Sequence, residues 1–264
     1  MTPTILELII GIFCALAVSV IAWRMRALTV SGAVAAFVVG GCVFSFGGIE
    51  AAVILIAFFI SGSLLAKLNP QANQKEKNGR DYKQVLSNGI APVIGVLLTA
   101  LTPLVREQAT VFFLAALATA TADTWATEIG MRYGNRVFNI FSFRPMQKGL
   151  SGGVSVIGLV ASILGAMFIA LLPLLPFWQG EKMCGLVLVK IFPVVAIAGF
   201  LGALIDSLLG ATVQVKYEKD GLYIEENLAD ASKVSGVRLI DNNMVNLIST
   251  IWGGLIGVGI MNLL

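Results

Sequence analysis

Asp123, Glu128, Asp206 and Asp241 are carboxylates within or at the edge of long apolar runs. A charged side chain near mid-bilayer costs roughly 2.5–3.5 kcal/mol on insertion scales, so it normally faces a partner or a wet cavity. Asp123 and Glu128 stand in Ala118-Thr119-Ala120-Thr121-Ala122-Asp123-Thr124-Trp125-Ala126-Thr127-Glu128-Ile129-Gly130, a run of small and hydroxyl residues. Asp123 and Thr127 are four apart and share a helix face, with Thr119 one turn earlier. Glu128 is offset from that face but within reach of the same cavity. Carboxylates with hydroxyls suit a hard, oxygen-liganded cation, Mg²⁺ first. The chain has no histidine, and Cys14, Cys42 and Cys184 are scattered singly through apolar stretches, so no softer metal and no disulfide framework can be read.

A second chemistry-bearing segment is Lys148-Gly149-Leu150-Ser151-Gly152-Gly153-Val154-Ser155. Glycines let backbone N–H groups crowd a phosphate, a helix start adds partial positive charge, and Lys148 adds a full one. A glycine-rich span start also serves plain helix packing. Asp206-Ser207 runs into a polar stretch through Lys216, Lys219 and Asp220 that reads as a solvated loop. Asp241-Asn242-Asn243 has the composition of a helix N-cap, or of a group holding a cation or polar headgroup. Ser87-Asn88-Gly89 opens another apolar run as a cap or as a contributor to the same site.

The elements that position these groups are membrane spans. The sequence is 57% hydrophobic and 12% charged, against roughly 25% charged in an average soluble domain. Runs of about 17–25 residues suffice to cross a bilayer. Eight occur, near 5–23, 29–46, 48–66, 87–104, 109–130, 152–174, 186–211 and 243–262. The second and third are parted by a tight turn at Phe46-Gly47-Gly48. Gly62 and Gly165 suit close helix packing, and Pro92 and Pro193 are expected to kink their spans. The first run lacks a basic stretch before it and reads as a retained span rather than a cleaved signal.

Basic residues give the orientation. Arg24, Arg26, Lys67, Lys75, Lys77, Arg80, Lys83, Arg132, Arg136, Arg144, Lys148, Lys216, Lys219, Lys233 and Arg238 fall in one set of loops, leaving Arg106, Lys182 and Lys190 elsewhere. The rich set is expected in the cytoplasm. The expectation is an all-α polytopic bundle of about eight transmembrane helices, with both termini on the non-cytoplasmic side. It forms a single integral membrane domain over residues 1–264 of a plasma (inner) membrane protein, its polar segments facing the cytoplasm.

Taken in order, Ser87-Asn88-Gly89, Ala122-Asp123-Thr124-Trp125-Ala126-Thr127-Glu128-Ile129-Gly130, Lys148-Gly149 through Gly152-Gly153-Val154-Ser155, and Asp206-Ser207 resemble the membrane family named domain of unknown function 92. That family includes the plant phytyl-phosphate kinase of vitamin E synthesis. A looser similarity extends to CTP-using dolichol and phytol kinases and phosphatidate cytidylyltransferases, through Asp123-Thr124, Lys148-Gly149, Asp206 with Lys219-Asp220, and Asp241. Ala122 stands where that larger group usually has glycine. The cytidylyltransferase His-Gly-Gly signature is absent, with Ser235-Gly236-Val237 in its region, which weighs against that reaction.

The resemblance implies a kinase that phosphorylates an isoprenoid (prenyl or phytyl) monophosphate to the diphosphate, with CTP or another nucleoside triphosphate as donor. Such chemistry is mainly positioning and charge neutralisation. The expected catalytic residues are Asp123, Lys148 and Asp206. Asp123, Glu128, Asp206 and Asp241 are the expected Mg²⁺ ligands. Substrate or phosphate contacts are expected from Ser87, Asn88, Gly89, Thr124, Thr127, Arg144, Gly149, Ser151, Gly152, Gly153, Ser155 and Lys219. Partners would be membrane lipid, the isoprenoid phosphate and the nucleotide, with no nucleic acid; self-association is left open. A secondary transporter of a cation or phosphorylated lipid, using the same carboxylates at a midplane site, and a cytidylyltransferase-like lipid-phosphate enzyme are the alternatives.

Overall fold

The computed structural model describes residues 5–68, 79–175, 188–228 and 230–264. Lys75, Lys77, Lys182 and Cys184 lie outside the described residues. Cys14 and Cys42 are free thiols. The apolar runs form seven long helices: α1 (Ile5–Arg24), α2 (Val30–Leu68), α3 (Tyr82–Leu101), α4 (Arg106–Tyr133), α5 (Val156–Leu171), α6 (Leu188–Thr212) and α7 (Asn242–Leu263). Among the described residues these seven helices, α5 extended to Leu174, are long and apolar enough to cross a membrane. Large apolar side chains such as Ile9, Phe13, Val34, Ile60, Val160 and Trp252 point outward, while Ser45, Thr99, Thr121, Ser162 and Thr250 are buried. Helices in lipid associate through small residues that let backbones approach, with hydroxyls bonding inside the bundle, which accounts for this inversion.

The 39 residues of α2 do not form one straight rod. A rod that long would extend about 58 Å, nearly twice a hydrocarbon core. Gly48 breaks it at φ 79°, ψ −172°, a conformation that requires glycine. The two ends of α2 then meet the same neighbourhood: a Cβ on Gly32 would overlap the Arg80 carbonyl, and one on Gly62 would lie 2.6 Å from Arg80 Nη2. Lys67 Nζ also donates to the Met25 carbonyl at 2.9 Å, just before α2 begins. The helix therefore doubles back at Gly48.

Close contacts sort the molecule into two ends. Gly11 packs on Phe44 and Ser45, Gly47 on Val96, Gly95 on Phe113, and Gly257 on Val111 and Ala115. These put the start of α1, the Gly48 turn and the end of α7 at one end of the bundle. Arg132, bonded to the Leu68 carbonyl at 2.7 Å, marks the other, polar end.

Helix α4 is the axis of the bundle, packed by α2, α3, α5, α6 and α7. Its alanines and threonines from Ala109 to Ala122 are buried. Gly165 of α5 sits on Thr121 and Ala122 of α4. Pro92 and Pro193 lie inside α3 and α6, each of which runs on through its proline.

The polar end carries two small sheets. Strands β1 (Phe138–Asn139) and β2 (Gly153–Val154) pair antiparallel. Strands β3 (Lys216–Lys219), β4 (Leu222–Ile224) and β5 (Ser232–Ser235) form an antiparallel sheet with β3 in the centre. The stretch from Lys216 to Asp220, read from sequence as a solvated loop, is thus its central strand and a turn. Asp220 and Gly221 both have positive φ, 53° and 77°, as a two-residue type I′ hairpin requires.

Candidate functional site

Helices α4, α6 and α7 meet at one threonine. Thr119 is fully buried and donates to the Ala115 carbonyl at 2.9 Å. A Cβ on Gly202 of α6 or on Gly253 of α7 would overlap its hydroxyl. Only glycine permits this approach, so the three backbones are drawn together at that level.

One turn nearer the polar end, the same three helices present Asp123, Asp206 and Ser249. Asp206, 6% exposed, accepts at Oδ2 from Ser249 Oγ at 2.8 Å. With its amide nitrogen turned inward, Asn246 donates to the same oxygen at 3.0 Å and to the Asn242 carbonyl at 3.2 Å. Asp123 is one turn from Thr119 on α4, and Asp206 is one turn from Gly202, the α6 glycine that touches Thr119, so the two carboxylates stand at one level of adjoining helices. Two carboxylates from separate helices thus share a sparsely solvated place. The Thr119–Asp123–Thr127 face expected from spacing runs from buried, through half-buried, to exposed. Exposure along this face thus falls from the polar end toward the Thr119 crossing.

The glycine-rich loop docks on the end of α6. Gly152 takes φ 86°, and a Cβ there would lie 2.5 Å from the Ala211 backbone; Gly210 packs on Ser151 in return. Ser151 joins several segments. Its N–H and hydroxyl donate to the two oxygens of Glu225, the latter at 3.0 Å. Gln214 Nε2 donates to Ser151 Oγ at 3.0 Å, and Lys216 Nζ donates to the Ser151 carbonyl at 3.0 Å. Asn242 Oδ1 stands 3.3 Å from the same hydroxyl. Asn242, whose carbonyl accepts from Asn246, links this cluster to Asp206.

The other residues named from the sequence are placed as follows. Asp241 is the N-cap of α7: Oδ1 accepts from Met244 N at 2.9 Å and Oδ2 from Asn243 Nδ2 at 3.3 Å. Among the described residues, no three His, Cys, Asp or Glu side chains form a group that could hold a metal ion, so the four carboxylates do not converge. Ser155 caps α5 by accepting from Gly158 N at 3.1 Å. Arg144 is exposed on the β1–β2 loop, whose turn is held by Asn139 accepting from Phe141 N and Ser142 N. Gly149, at φ 92°, lies beside Met131, and Gly153 closes a turn onto the Leu150 carbonyl. Lys216, rather than Lys148, is the lysine bonded to this loop; Lys219 is half-buried two residues along β3 from Tyr217.

Ser87 and Asn88 bond back to the Gln84 carbonyl at 3.0 and 3.2 Å, and Gly89 packs on Val39. They lie two turns inside α3, whose cap is the Asp81–Gln84 capping box. Thr124 packs its methyl toward Gly62 on α2, and Trp125 stacks on Phe168 while donating to Ser61 Oγ at 3.3 Å. Glu128 is buried.

Sequence reasoning missed Asn246, Ser249, Gln214, Lys216 and Glu225 as site residues. Asn242, Asn246, Ser249 and Gly253 recur at spacings of four, three and four, one polar stripe on an otherwise apolar helix. That stripe was the available signal for α7.

Burial lowers the Lys216 pKa from 10.5, and Glu225 opposes the shift. Below the lowered value, folded and unfolded forms are both charged and the folded form bears the desolvation cost. Between that value and 10.5 the unfolded chain holds the extra proton, so stability rises with pH. Lys216→Met, free of this cost, is therefore expected to gain stability relative to the wild type at neutral pH. The gap between their melting midpoints in detergent should narrow as pH approaches 10.5; a constant gap would contradict the sign.

Comparison with known proteins gives a consistent family assignment. The model of the family "Integral membrane protein DUF92" matches residues 13–254. An uncharacterized membrane protein of Methanocaldococcus jannaschii is 27% identical over 97% of this chain and 94% of its own. Protein PGR of Arabidopsis thaliana is 31% identical over 90% of this chain and 91% of its own. Protein VTE6, chloroplastic, also of Arabidopsis thaliana, is 24% identical over 88% of this chain and 64% of its own. No solved structure matches.

Proposed function

The chain belongs to the DUF92 family of integral membrane proteins, and from that premise we propose that it transfers a phosphoryl group from a nucleoside triphosphate to an isoprenoid monophosphate. CTP is the first candidate donor and the product is the diphosphate. The carrying observation is that Asp123 and Asp206 stand at one level of adjoining helices, with the donor-rich Ser151 cluster linked to Asp206 through Asn242 and Asn246. The similarity to VTE6 supports the prenyl-phosphate class. In this reading the doubled α2 makes eight crossings, both termini are outside the plasma membrane, and the polar end faces the cytoplasm. The basic residues at that end, Arg24, Arg80 and Arg132 among them, support the orientation.

Mg²⁺ binds through one or two carboxylates together with substrate phosphates. Asp123 and Asp206 fit that donor set, and no third protein carboxylate is needed. The ion supplies neutralisation of charge on the phosphates. Ser249 and Asn246 hold the Asp206 carboxylate in one orientation. The acceptor is already anionic, so no general base is required, in keeping with a chain without histidine. In this reading the close packing of Gly202 and Gly253 on Thr119 bars water from passing deeper between the helices.

The position of the pair favours this over a transporter. Asp206 lies six residues, about 9 Å along the helix, before the polar end of α6 at Thr212. Purified protein in nanodiscs would be given farnesyl monophosphate, Mg²⁺ and each nucleoside triphosphate in turn. Diphosphate formation that disappears in Asp123→Asn is the expected result. No turnover with any donor, together with phosphate-lipid flux in proteoliposomes, would replace the kinase by the transporter.

A further inference from the structure

The Ser151 cluster contains an anion already. Both oxygens of Glu225 are taken by one residue of the glycine-rich loop, through its backbone N–H and its hydroxyl. Backbone and hydroxyl donors of this kind bind carboxylate and phosphate alike. Lys216, 9% exposed, adds a cation whose ammonium is bonded to the same residue's carbonyl. A second, independent feature marks the place as unfinished. Gln214 is 2% exposed, and its Oε1 has no hydrogen-bond partner, although the other end of the same amide bonds Ser151. A buried acceptor left unpaired costs about 1–3 kcal/mol, and a ligand hydroxyl or protonated phosphate oxygen would relieve it.

Glu225 is carried differently from the groups it meets. Ser151 is held by α6 through Gly210 and Gly152, and Lys216 lies in the central strand β3. Glu225 follows the edge strand β4 and opens a segment in which Glu226, Asn227, Leu228 and Asp230 are exposed. The donors are thus anchored to the helix bundle and the sheet centre, while the acceptor hangs from a surface loop.

We propose that Ser151 and Lys216 form the seat for a phosphate group of the substrate, and that Glu225 is an internal carboxylate filling this seat until phosphate displaces it. The proposal rests on the phosphoryl-transfer reading and deepens it. Displacement has a second effect: it moves a negative charge away from Asp206 as the anionic ligand enters. No bond is made or broken in the exchange.

The seated phosphate belongs either to the isoprenoid or to the nucleotide, and binding separates these without turnover. Calorimetric titrations of full-length protein in nanodiscs, with EDTA present, would use farnesyl monophosphate in one arm and CTP in the other. Glu225→Ala is expected to tighten binding of the seated ligand by about tenfold, the factor for a seat open a tenth of the time. Lys216→Met is expected to weaken the same ligand. Glu225→Gln, which keeps the side-chain shape, should also tighten binding and covers the case in which the alanine variant fails to fold. If Glu225 only clamps the sheet, folded Glu225 variants bind both ligands equally well or worse than the wild type, and the proposal is overturned. A kinase assay that fails while Glu225→Ala still gains affinity would remove the reaction and leave the seat.

Discussion

Asp206→Asn is expected to lower diphosphate formation by about 10³-fold, the upper range for loss of one preorganised electrostatic group. The substitution is isosteric, and the new side-chain oxygen still accepts from Ser249, so the bundle should melt within a few degrees of the wild type. What changes is the charge paired with Asp123. If the two carboxylates act as a unit, Asp123→Asn costs a similar factor, and the double variant is little worse than either single one, since groups acting together are strongly non-additive. A structural clamp predicts a different pattern: turnover within tenfold of the wild type and a lowered melting midpoint. Measuring rate and midpoint on the same preparations separates the two. Ser249→Ala should sit between, because Asn246 still bonds the carboxylate.

The parts of this site that the sequence displayed are the expensive ones. A carboxylate inside an apolar run demands a reason, so Asp123 and Asp206 stand out without any structure. Their neutral partners do not. Asn246 and Ser249 cost little in a helix and look like ordinary polar residues until α7 is laid beside α6. Glu225 is less visible still, since Glu225-Glu226-Asn227 has the composition of any solvated loop and only the return of β4 to Ser151 distinguishes one glutamate from the next. Asp241 shows the ambiguity of a charged residue at a span edge: it reads equally as a cap or a ligand, and its Oδ1 caps α7 while its Oδ2 accepts from Asn243.

The helices were legible for a simpler reason. Apolar length is set by the bilayer, and among the described residues the apolar runs fall largely on helices. The differences lie at the ends. The fourth run begins earlier than expected because Asp81 and Gln84 cap α3 ahead of the apolar stretch. The helix of the sixth run, α5, starts late, at Val156, because Gly152 and Gly153 are used in docking on Ala211 and in a turn. The sheet β3–β5 escaped notice because its strands have three or four residues, although Asp220-Gly221 between Lys219 and Leu222 is a type I′ hairpin signature in plain sequence.

The crossing at Thr119 supplies the second large effect. A methyl on Gly253 would overlap the Thr119 hydroxyl and stand 3.0 Å from Thr119 Cβ. Neither backbone offers room, because Gly202 presses the same threonine from α6. Gly253→Ala should therefore push α7 outward, at about 1–3 kcal/mol for overpacking. Ser249 lies four residues away on the same helix and would be carried off Asp206. A misplacement near 1 Å costs on the order of 10²-fold in rate, so activity should fall although no reacting group has been touched. Thr119→Ala removes the colliding hydroxyl. It leaves the Ala115 carbonyl in an intact helix and should itself be mild. Combined with Gly253→Ala it removes the overlap with the hydroxyl but not the 3.0 Å approach to Cβ, so it should restore part of both the melting midpoint and the rate, a positive coupling that independent sites would not give. If the double variant is as slow as Gly253→Ala alone, the helix crossing does not set the position of the carboxylate pair, and the link from packing to chemistry fails at that step.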